Sequence, residues 1–131
     1  MSNYLELRTR FTEKRYLIDA LQELGYQPEV CREGKSLTGY LGDKRAERAH
    51  VIIPRSQLDS ASNDIGFARD SSGVYQAIVS EYDRGIGFDD AWLGRIAQIY
   101  KERQTMAVAK AKGYIFKARE VIDTPQGKKI E

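Results

Sequence analysis

The segment from Gly87 to Tyr114 carries apolar residues at helical spacing, and this long amphipathic pattern is the strongest constraint on the fold. Asp89 stands where a helix N-cap belongs, Phe88 precedes it as a hydrophobic staple, and Gly113 follows the pattern as a stop. The predicted stripe consists of Trp92, Leu93, Ile96, Ile99, Tyr100, Arg103, Met106 and Ala107. Because a helix with one apolar face buries that face against another layer, the rest of the chain must supply a second layer.

Short segments with alternating apolar residues supply that second layer. After the first of them, Thr12 is predicted to cap a helix whose apolar positions follow the 3.6-residue period up to Gly25. The segment DKRAER is predicted to be a charged loop. The predicted strands are YLELRTRF, SLTGYLG, His50 to Ile53, DIGFAR, VYQAIVSEY and YIFKAREVI.

This order of elements predicts an α+β fold, a ferredoxin-like sandwich with two helices packed on one face of a mainly antiparallel β-sheet. A chain of 131 residues is large enough to bury a core without disulfides, so a single domain over residues 1–131 is expected. Leu21, Leu24, Trp92 and Ile96 are expected to be buried against the sheet. The other sheet face is expected to be open.

The stretch NDIGFARDSSGVYQAIVSEYD, residues 63 to 83, is typical of a β-hairpin. Asp70, Ser71, Ser72 and Gly73 form the predicted turn, in which Gly73 takes a positive φ. The turn therefore accounts for Asp70, Ser71, Ser72 and Gly73, and leaves the other polar residues of this stretch unexplained.

No combination of side chains in the sequence specifies a reaction. His50 is the only histidine and Cys31 the only cysteine, so an internal disulfide is excluded and a multi-histidine metal site is not expected. Asp89 and Asp90 are explained by a helix start, and the Gly-x-Gly of RGIGFDD lacks a phosphate-binding lysine. The sequence predicts no catalytic residues, no metal and no cofactor, and favours a protein that is not an enzyme.

The chain contains no apolar run of membrane-spanning length, and MSNYLELRTR lacks the features of a secretory signal. With one cysteine, a reducing cytoplasm is the natural compartment. A cytoplasmic protein without membrane contact is therefore expected.

Charge is distributed unevenly along the chain. Residues 59 to 90 hold seven acidic residues and two arginines, whereas nine Lys or Arg and four acidic residues follow from Arg95 onward. In most proteins such a stretch is only a solvated face, but it can also orient a partner. The solvated face is the favoured interpretation of the charges alone. The hypothesis for function, which also uses the absence of a catalytic set, is a protein-interaction or adaptor module whose partner-binding residues are Asp64, Asp70, Tyr75, Glu81, Tyr82 and Asp83. In such a module Tyr82 is exposed as an anchor; in a purely structural hairpin it is buried beneath the second helix.

An alternative function uses the sheet face opposite the helices. Eight Tyr, four Phe and one Trp are available, and an open sheet that combines rings with arginines can bind single-stranded nucleic acid. The residues predicted for this alternative are Tyr4, Arg8, Arg10, Tyr40 and Phe67. Core packing explains the same rings equally well, and the net charge of +2 is low for that class.

Four parts of the chain together resemble a known family: the segment ALQELGY, the hairpin of residues 63 to 83, the segment IAQIYKERQTMAVAKAKGY and the closing strand with its glycine-containing turn. The family is that of hypothetical chloroplast reading frame thirty-five of cyanobacteria and red-algal plastids, with bacterial and phage relatives. The chain resembles a distant member, since Glu81-Tyr82-Asp83 replaces an Asp-Trp pair. The resemblance implies no reaction, but it suggests work in a complex with an AAA-type ATPase.

Overall fold

The computed structural model describes residues 2–113. The chain divides into two compact units, residues 1–100 and 101–131. The elements are β1 (Tyr4–Phe11), α1 (Lys14–Glu23), β2 (Glu29–Thr38), β3 (Lys44–Ile53), a 3-10 turn (Arg55–Gln57), β4 (Ile65–Arg69), β5 (Tyr75–Ser80), α2 (Glu81–Gly85) and α3 (Asp90–Ala111). The predicted strand YIFKAREVI lies outside the described residues. No helix within the described range has both the length and the apolar character needed to cross a bilayer.

The five strands form one antiparallel sheet in the order β1-β5-β4-β3-β2. Strands β2 to β5 form a meander, and α1 links β1 at one edge of the sheet to β2 at the other. The predicted α+β class is confirmed. In this chain four consecutive strands follow α1, whereas in a ferredoxin-like βαββαβ unit only two strands follow the first helix. The two architectures therefore share helices packed on a sheet but differ in the order of their elements.

The core lies on the sheet face that meets the helices. Phe67 is fully buried, and the Phe11 ring lies 6.3 Å from it and 4.9 Å from the Tyr100 ring of α3. Tyr16 of α1 meets the same Tyr100 ring edge-on at 5.7 Å. Of the four residues predicted to anchor the helices, Leu21, Trp92 and Ile96 are buried, and Leu24 is half-buried.

The opposite sheet face is partly covered, so the prediction that it is open is wrong there. Register shifts bend the β2–β3 hairpin, and Leu37 and Ala49 join Ile52 and Ile78 in a second buried cluster. Gly66 lies beneath them, and a Cβ added to it would be 2.5 Å from the Ala49 Cβ. A hairpin can therefore fold onto its own sheet only because glycine leaves room at this position.

Local sequence signals account for most of the turns and helix ends. Asp89 Oδ1 accepts hydrogen bonds from the backbone N–H groups of Ala91 (3.1 Å) and Trp92 (3.2 Å), which confirms the predicted cap. The Phe88 ring meets the Trp92 ring edge-on at 5.1 Å. Positive φ values at Gly25 (98°), Gly73 (88°) and Gly113 (82°) confirm the predicted positions of two helix ends and the hairpin turn.

Three predicted boundaries are wrong. The segment SLTGYLG is not a strand throughout, since β2 ends at Thr38 and residues 39–43 form the hairpin turn. The segment DKRAER is mostly strand β3, in which Arg45 and Glu47 are half-buried while Lys44 and Arg48 are exposed. Glu81 and Tyr82 belong to α2 and not to β5, because the Ser80 hydroxyl accepts a hydrogen bond from the Asp83 N–H (3.1 Å) and so starts a helix.

The start of α1 also differs from the prediction. Thr12 does not cap it; Glu13 occupies the N-cap position without a side-chain cap. Instead, the Tyr100 hydroxyl accepts hydrogen bonds from the N–H groups of Thr12 (3.0 Å) and Glu13 (2.8 Å). Tyr100 thus supplies the hydrogen-bond acceptor at the start of α1 that the sequence predicted at Thr12.

Replacing Tyr100 by Phe tests this remote cap. The ring contacts with Phe11 and Tyr16 survive, whereas two backbone N–H groups lose their acceptor. We expect the free energy of unfolding to fall by about 1 kcal/mol, the usual net value of one hydrogen bond, or somewhat more because two are lost. Urea titration monitored by circular dichroism measures the change. Tyr40→Phe is the matched control, since Tyr40 is 49% exposed; equal losses in the two variants would contradict the assignment.

Candidate functional site

Two of the acidic residues predicted to bind a partner lie inside the protein. The Asp64 carboxylate accepts hydrogen bonds from the N–H groups of Thr38 and Arg55, both at 2.8 Å. Asp83 is fully buried, and its Oδ2 accepts from the Asn63 backbone N–H (3.0 Å) and the Ser80 hydroxyl (2.6 Å). Asp64 therefore ties the segment before β4 to the end of β2, and Asp83 ties that segment to the end of β5.

Asp70 and Tyr75 lie at the other end of β5. The Asp70 carboxylate accepts hydrogen bonds from Ser72, Val74 and Gln76, which hold its pKa below the usual range. Tyr75 is 5% exposed, and burial raises its pKa. Neither residue lies beside Glu81 and Tyr82, because β5 separates the two groups.

Glu81 and Tyr82 are exposed on α2. Tyr82 is 37% exposed and is not covered by the second long helix. Its hydroxyl donates a hydrogen bond to Asp59 Oδ2 (2.9 Å), and its backbone N–H donates to the Ser2 hydroxyl (2.8 Å). The bond between Tyr82 and Asp59 raises the pKa of the phenol and lowers the pKa of the carboxylate. The ring is therefore held in place while its face stays accessible.

Tyr82 forms one wall of a surface cleft of about 220 Å³, which we call the Tyr40–Tyr82 cleft. Leu41 and Tyr40 form the opposite wall at the tip of the β2–β3 hairpin and are 70% and 49% exposed. The complete lining is Ser2, Tyr40, Leu41, Asp43, Ala61, Asn63 and Tyr82. Tyr40 and Tyr82 belong to two different sites in the predictions from the sequence, and Leu41 belongs to neither, although a leucine in the glycine-flanked turn GYLG is itself a signal.

The buried polar cluster supports this cleft directly. Asn63 Oδ1 accepts a hydrogen bond from the Tyr40 N–H (2.8 Å), while Asn63 Nδ2 donates to the Ser80 hydroxyl (2.9 Å). Asn63 thus connects the hairpin tip to Asp83 and to the start of α2. Both walls of the cleft are tied to one buried group of hydrogen bonds, so the cleft is preformed.

The charges around the cleft are mainly acidic. Asp43 is paired with Arg45 at 3.8 Å. Asp59 and Glu81 have no cationic partner among residues 2–113. The Arg45 guanidinium lies 4.9 Å from the centre of the Tyr4 ring and donates a hydrogen bond to the Ser2 carbonyl (2.8 Å). Arg45 is thus committed to internal contacts, and the accessible charge beside the apolar walls is negative.

The residues predicted for nucleic-acid binding are not brought together. Phe67 is buried on the helix side of the sheet. Tyr4 is half-buried beneath Arg45 and donates its hydroxyl to the Asp64 carbonyl (2.7 Å), and burial raises its pKa. Arg8 and Arg10 are exposed on edge strand β1, while Tyr40 belongs to the cleft. No platform of rings and arginines is assembled from these five residues.

The described residues contain no group of three or more His, Cys, Asp or Glu side chains placed to hold a metal ion. The Asp89 side chain caps α3, and Asp90 Oδ2 lies 3.3 Å from Arg84. This pair therefore has the helix-start role that its position predicted.

Fold and site together define a small α+β protein with a preformed apolar cleft in its surface. The chain belongs to the DUF1257 family, described as a protein of unknown function, and its residues 20–126 match that family. Comparisons with curated proteins and with solved structures gave no match.

Proposed function

We propose that this protein is a non-enzymatic interaction module that binds a partner protein in the Tyr40–Tyr82 cleft. The observation that carries the proposal is the exposure of Leu41, Tyr40 and Tyr82 around one preformed cleft. Aromatic anchors in a pocket, surrounded by polar groups, are typical of interaction hot spots. Preorganisation by Asn63 favours affinity, because the free protein loses little conformational entropy when the partner binds.

The cleft favours one chemistry in the partner. Its volume of about 220 Å³ lies below the roughly 300–1,000 Å³ of pockets for drug-sized ligands, so it suits one apolar side chain and its neighbours. The carboxylate of Asp59, which accepts the hydrogen bond of the Tyr82 hydroxyl, favours positive charge beside that side chain. The proposed ligand is therefore a protein segment in which a leucine, methionine or aromatic residue is flanked by lysine or arginine.

The family resemblance adds a first partner to test. If the chain is a distant member of the cyanobacterial and plastid family with bacterial and phage relatives, an AAA-type ATPase is the candidate partner. Its segments that combine an apolar residue with flanking basic residues are the ones that fit the cleft.

Selection from a random peptide library displayed on phage tests the proposed chemistry without assuming a partner. We expect the selected peptides to share one apolar residue next to Lys or Arg. Increasing the salt concentration should weaken peptide binding, because the charges that flank the apolar residue lie at the exposed rim of the cleft and are screened.

The variant Leu41→Ser tests whether the selected peptides bind in the Tyr40–Tyr82 cleft. It removes the most exposed apolar side chain of the cleft and should reduce peptide affinity by about tenfold or more. The matched control is Val108→Ser, which removes a 52% exposed aliphatic side chain of α3. Failure to enrich any shared motif, or equal binding by Leu41→Ser and the parent, would contradict the proposal.

A further inference from the structure

A second surface pocket, of about 230 Å³, is lined by Lys14, Val30, Cys31, Arg32, His50, Arg69, Asp70 and Tyr75. Three of these eight side chains are cationic, and none of the eight belongs to the Tyr40–Tyr82 cleft. The pocket brings together the first turn of α1, the beginning of β2, the second half of β3, the end of β4 and the start of β5. We name it the Arg32–Arg69 pocket.

The three cations are not neutralised by ion pairs. Within residues 2–113, Lys14, Arg32 and Arg69 form no salt bridge and donate no side-chain hydrogen bond. The one carboxylate in the lining is that of Asp70, and both of its oxygens already accept hydrogen bonds within the hairpin, including one from Gln76 (2.9 Å). The pocket therefore keeps an uncompensated positive charge.

His50 adds an imidazole of defined orientation. Its Nδ1 accepts a hydrogen bond from the Arg69 backbone N–H (3.0 Å). A nitrogen that accepts is unprotonated, so the neutral ring carries its hydrogen on Nε2. The imidazole lines the pocket and is held by the same strand that carries Arg69, while its Nε2 lies beside Gly34 of β2.

The beginning of α1 contributes one of the three cations of the pocket. Lys14 is the first residue of that helix, and the first turn contains no acidic residue. Glu13 occupies the N-cap position before that turn and places a carboxylate at the helix start, so α1 contributes to the pocket through the Lys14 ammonium and not through the helix dipole.

We propose that the Arg32–Arg69 pocket binds the phosphate group of a small phosphorylated molecule. Two guanidinium groups and an ammonium provide the planar and point-like donors that phosphate oxygens accept, and the His50 imidazole lines the same pocket. The volume of about 230 Å³ leaves room for little beyond the phosphate, so a phosphate monoester fits better than a polymer. Burial, followed by the charge of Glu29, raises the pKa of the Cys31 thiol in the pocket lining.

The single histidine and single cysteine make the pocket observable in the unmodified protein. Proton NMR of the His50 imidazole, recorded at constant pH, is followed during titration with inorganic phosphate and with glycerol phosphate. Sodium chloride at matched ionic strength is the control. We expect a saturable shift with both phosphates and not with chloride, and slower alkylation of Cys31 by iodoacetamide when phosphate is bound.

Charge-neutralising variants test whether phosphate binds in the Arg32–Arg69 pocket. Arg32→Gln and Arg69→Gln should each weaken phosphate binding by about tenfold, because each removes a charged donor. Arg95→Gln removes the same charge from an exposed position on α3 and should leave the affinity unchanged. Tryptophan fluorescence checks that all three variants fold.

Two results would overturn the proposal. One is an His50 signal that moves no further with phosphate than with chloride. The other concerns oligothymidylate, tested as a polymeric phosphate ligand. If it binds more tightly than either small phosphate, and binds the parent, Arg32→Gln and Arg69→Gln equally well, the anion site lies elsewhere on the surface.

Discussion

Trp92→Ala is expected to lower the free energy of unfolding by about 3–5 kcal/mol, as large-to-small changes of buried aromatic residues do. Trp92 is 3% exposed. Its indole N–H donates a hydrogen bond to the Tyr26 hydroxyl (3.2 Å), and its ring meets Phe88 edge-on at 5.1 Å. The variant loses the buried area and leaves a cavity between the start of α3 and the segment after α1. Since domains are stable by only about 5–15 kcal/mol, this loss is a large fraction of the total stability and would unfold a domain at the low end of that range.

Urea titration followed by far-ultraviolet circular dichroism measures this loss. Trp92→Phe is the matched control, because it retains an aromatic ring and removes only the hydrogen bond and part of the volume. It should lose clearly less stability than Trp92→Ala. A Trp92→Ala protein within about 1 kcal/mol of the parent would contradict the assignment of Trp92 to the core, since that is the range of ordinary substitutions.

Gly66→Ala is expected to destabilise the protein by about 1–3 kcal/mol through overpacking. The added Cβ would lie 2.5 Å from the Ala49 Cβ and 3.0 Å from Leu37 Cδ2, where the β2–β3 hairpin folds over the sheet. Ala49 has no rotamer that would relieve the contact, so the hairpin backbone must move. The same hairpin carries Tyr40 and Leu41, so peptide binding in the cleft should weaken as well.

The matched control for Gly66→Ala is Gly94→Ala. A Cβ added at Gly94 meets nothing within 4 Å, and the residue lies on an exposed face of α3. Alanine is preferred over glycine in a helix, so this variant should gain up to about 1 kcal/mol. Adding Ala49→Gly to Gly66→Ala should restore part of the lost stability. If Gly66→Ala is as stable as the parent by thermal melting, the described closure of the hairpin is wrong.

Features encoded by neighbouring residues were predictable from the sequence. The caps at Asp89 and Gly25 and the turn at Gly73 depend on residues only a few positions apart, and all three are confirmed. The start of α1 was not predictable, because its hydrogen-bond acceptor is Tyr100. Strand β3 was missed in part because its charged residues alternate on a hairpin that bends, and bending depends on the space left by a distant glycine.

The candidate site was predictable only in fragments. Tyr82 was identified as an anchor from its position in an acidic segment, and it is exposed. A carboxylate is buried where the fold leaves backbone N–H groups that need an acceptor. The burial of Asp64 and Asp83 therefore could not be predicted from composition. The cleft combines a hairpin tip, a loop and a helix, and no sequence motif joins Tyr40 to Tyr82.

The affinity of the best selected peptide for Tyr82→Ala tests the proposed interaction module most directly. Titration calorimetry compares this variant with the parent, with Tyr82→Phe and with Val108→Ser, and melting temperatures are recorded for all four. The proposal predicts that Tyr82→Ala binds about tenfold more weakly or worse while its melting temperature stays close to that of the parent, because the ring is an accessible anchor. Tyr82→Phe and Val108→Ser should bind nearly as well as the parent. A folded Tyr82→Ala protein that binds the peptide as tightly as the parent would contradict the assignment of the cleft as the partner site.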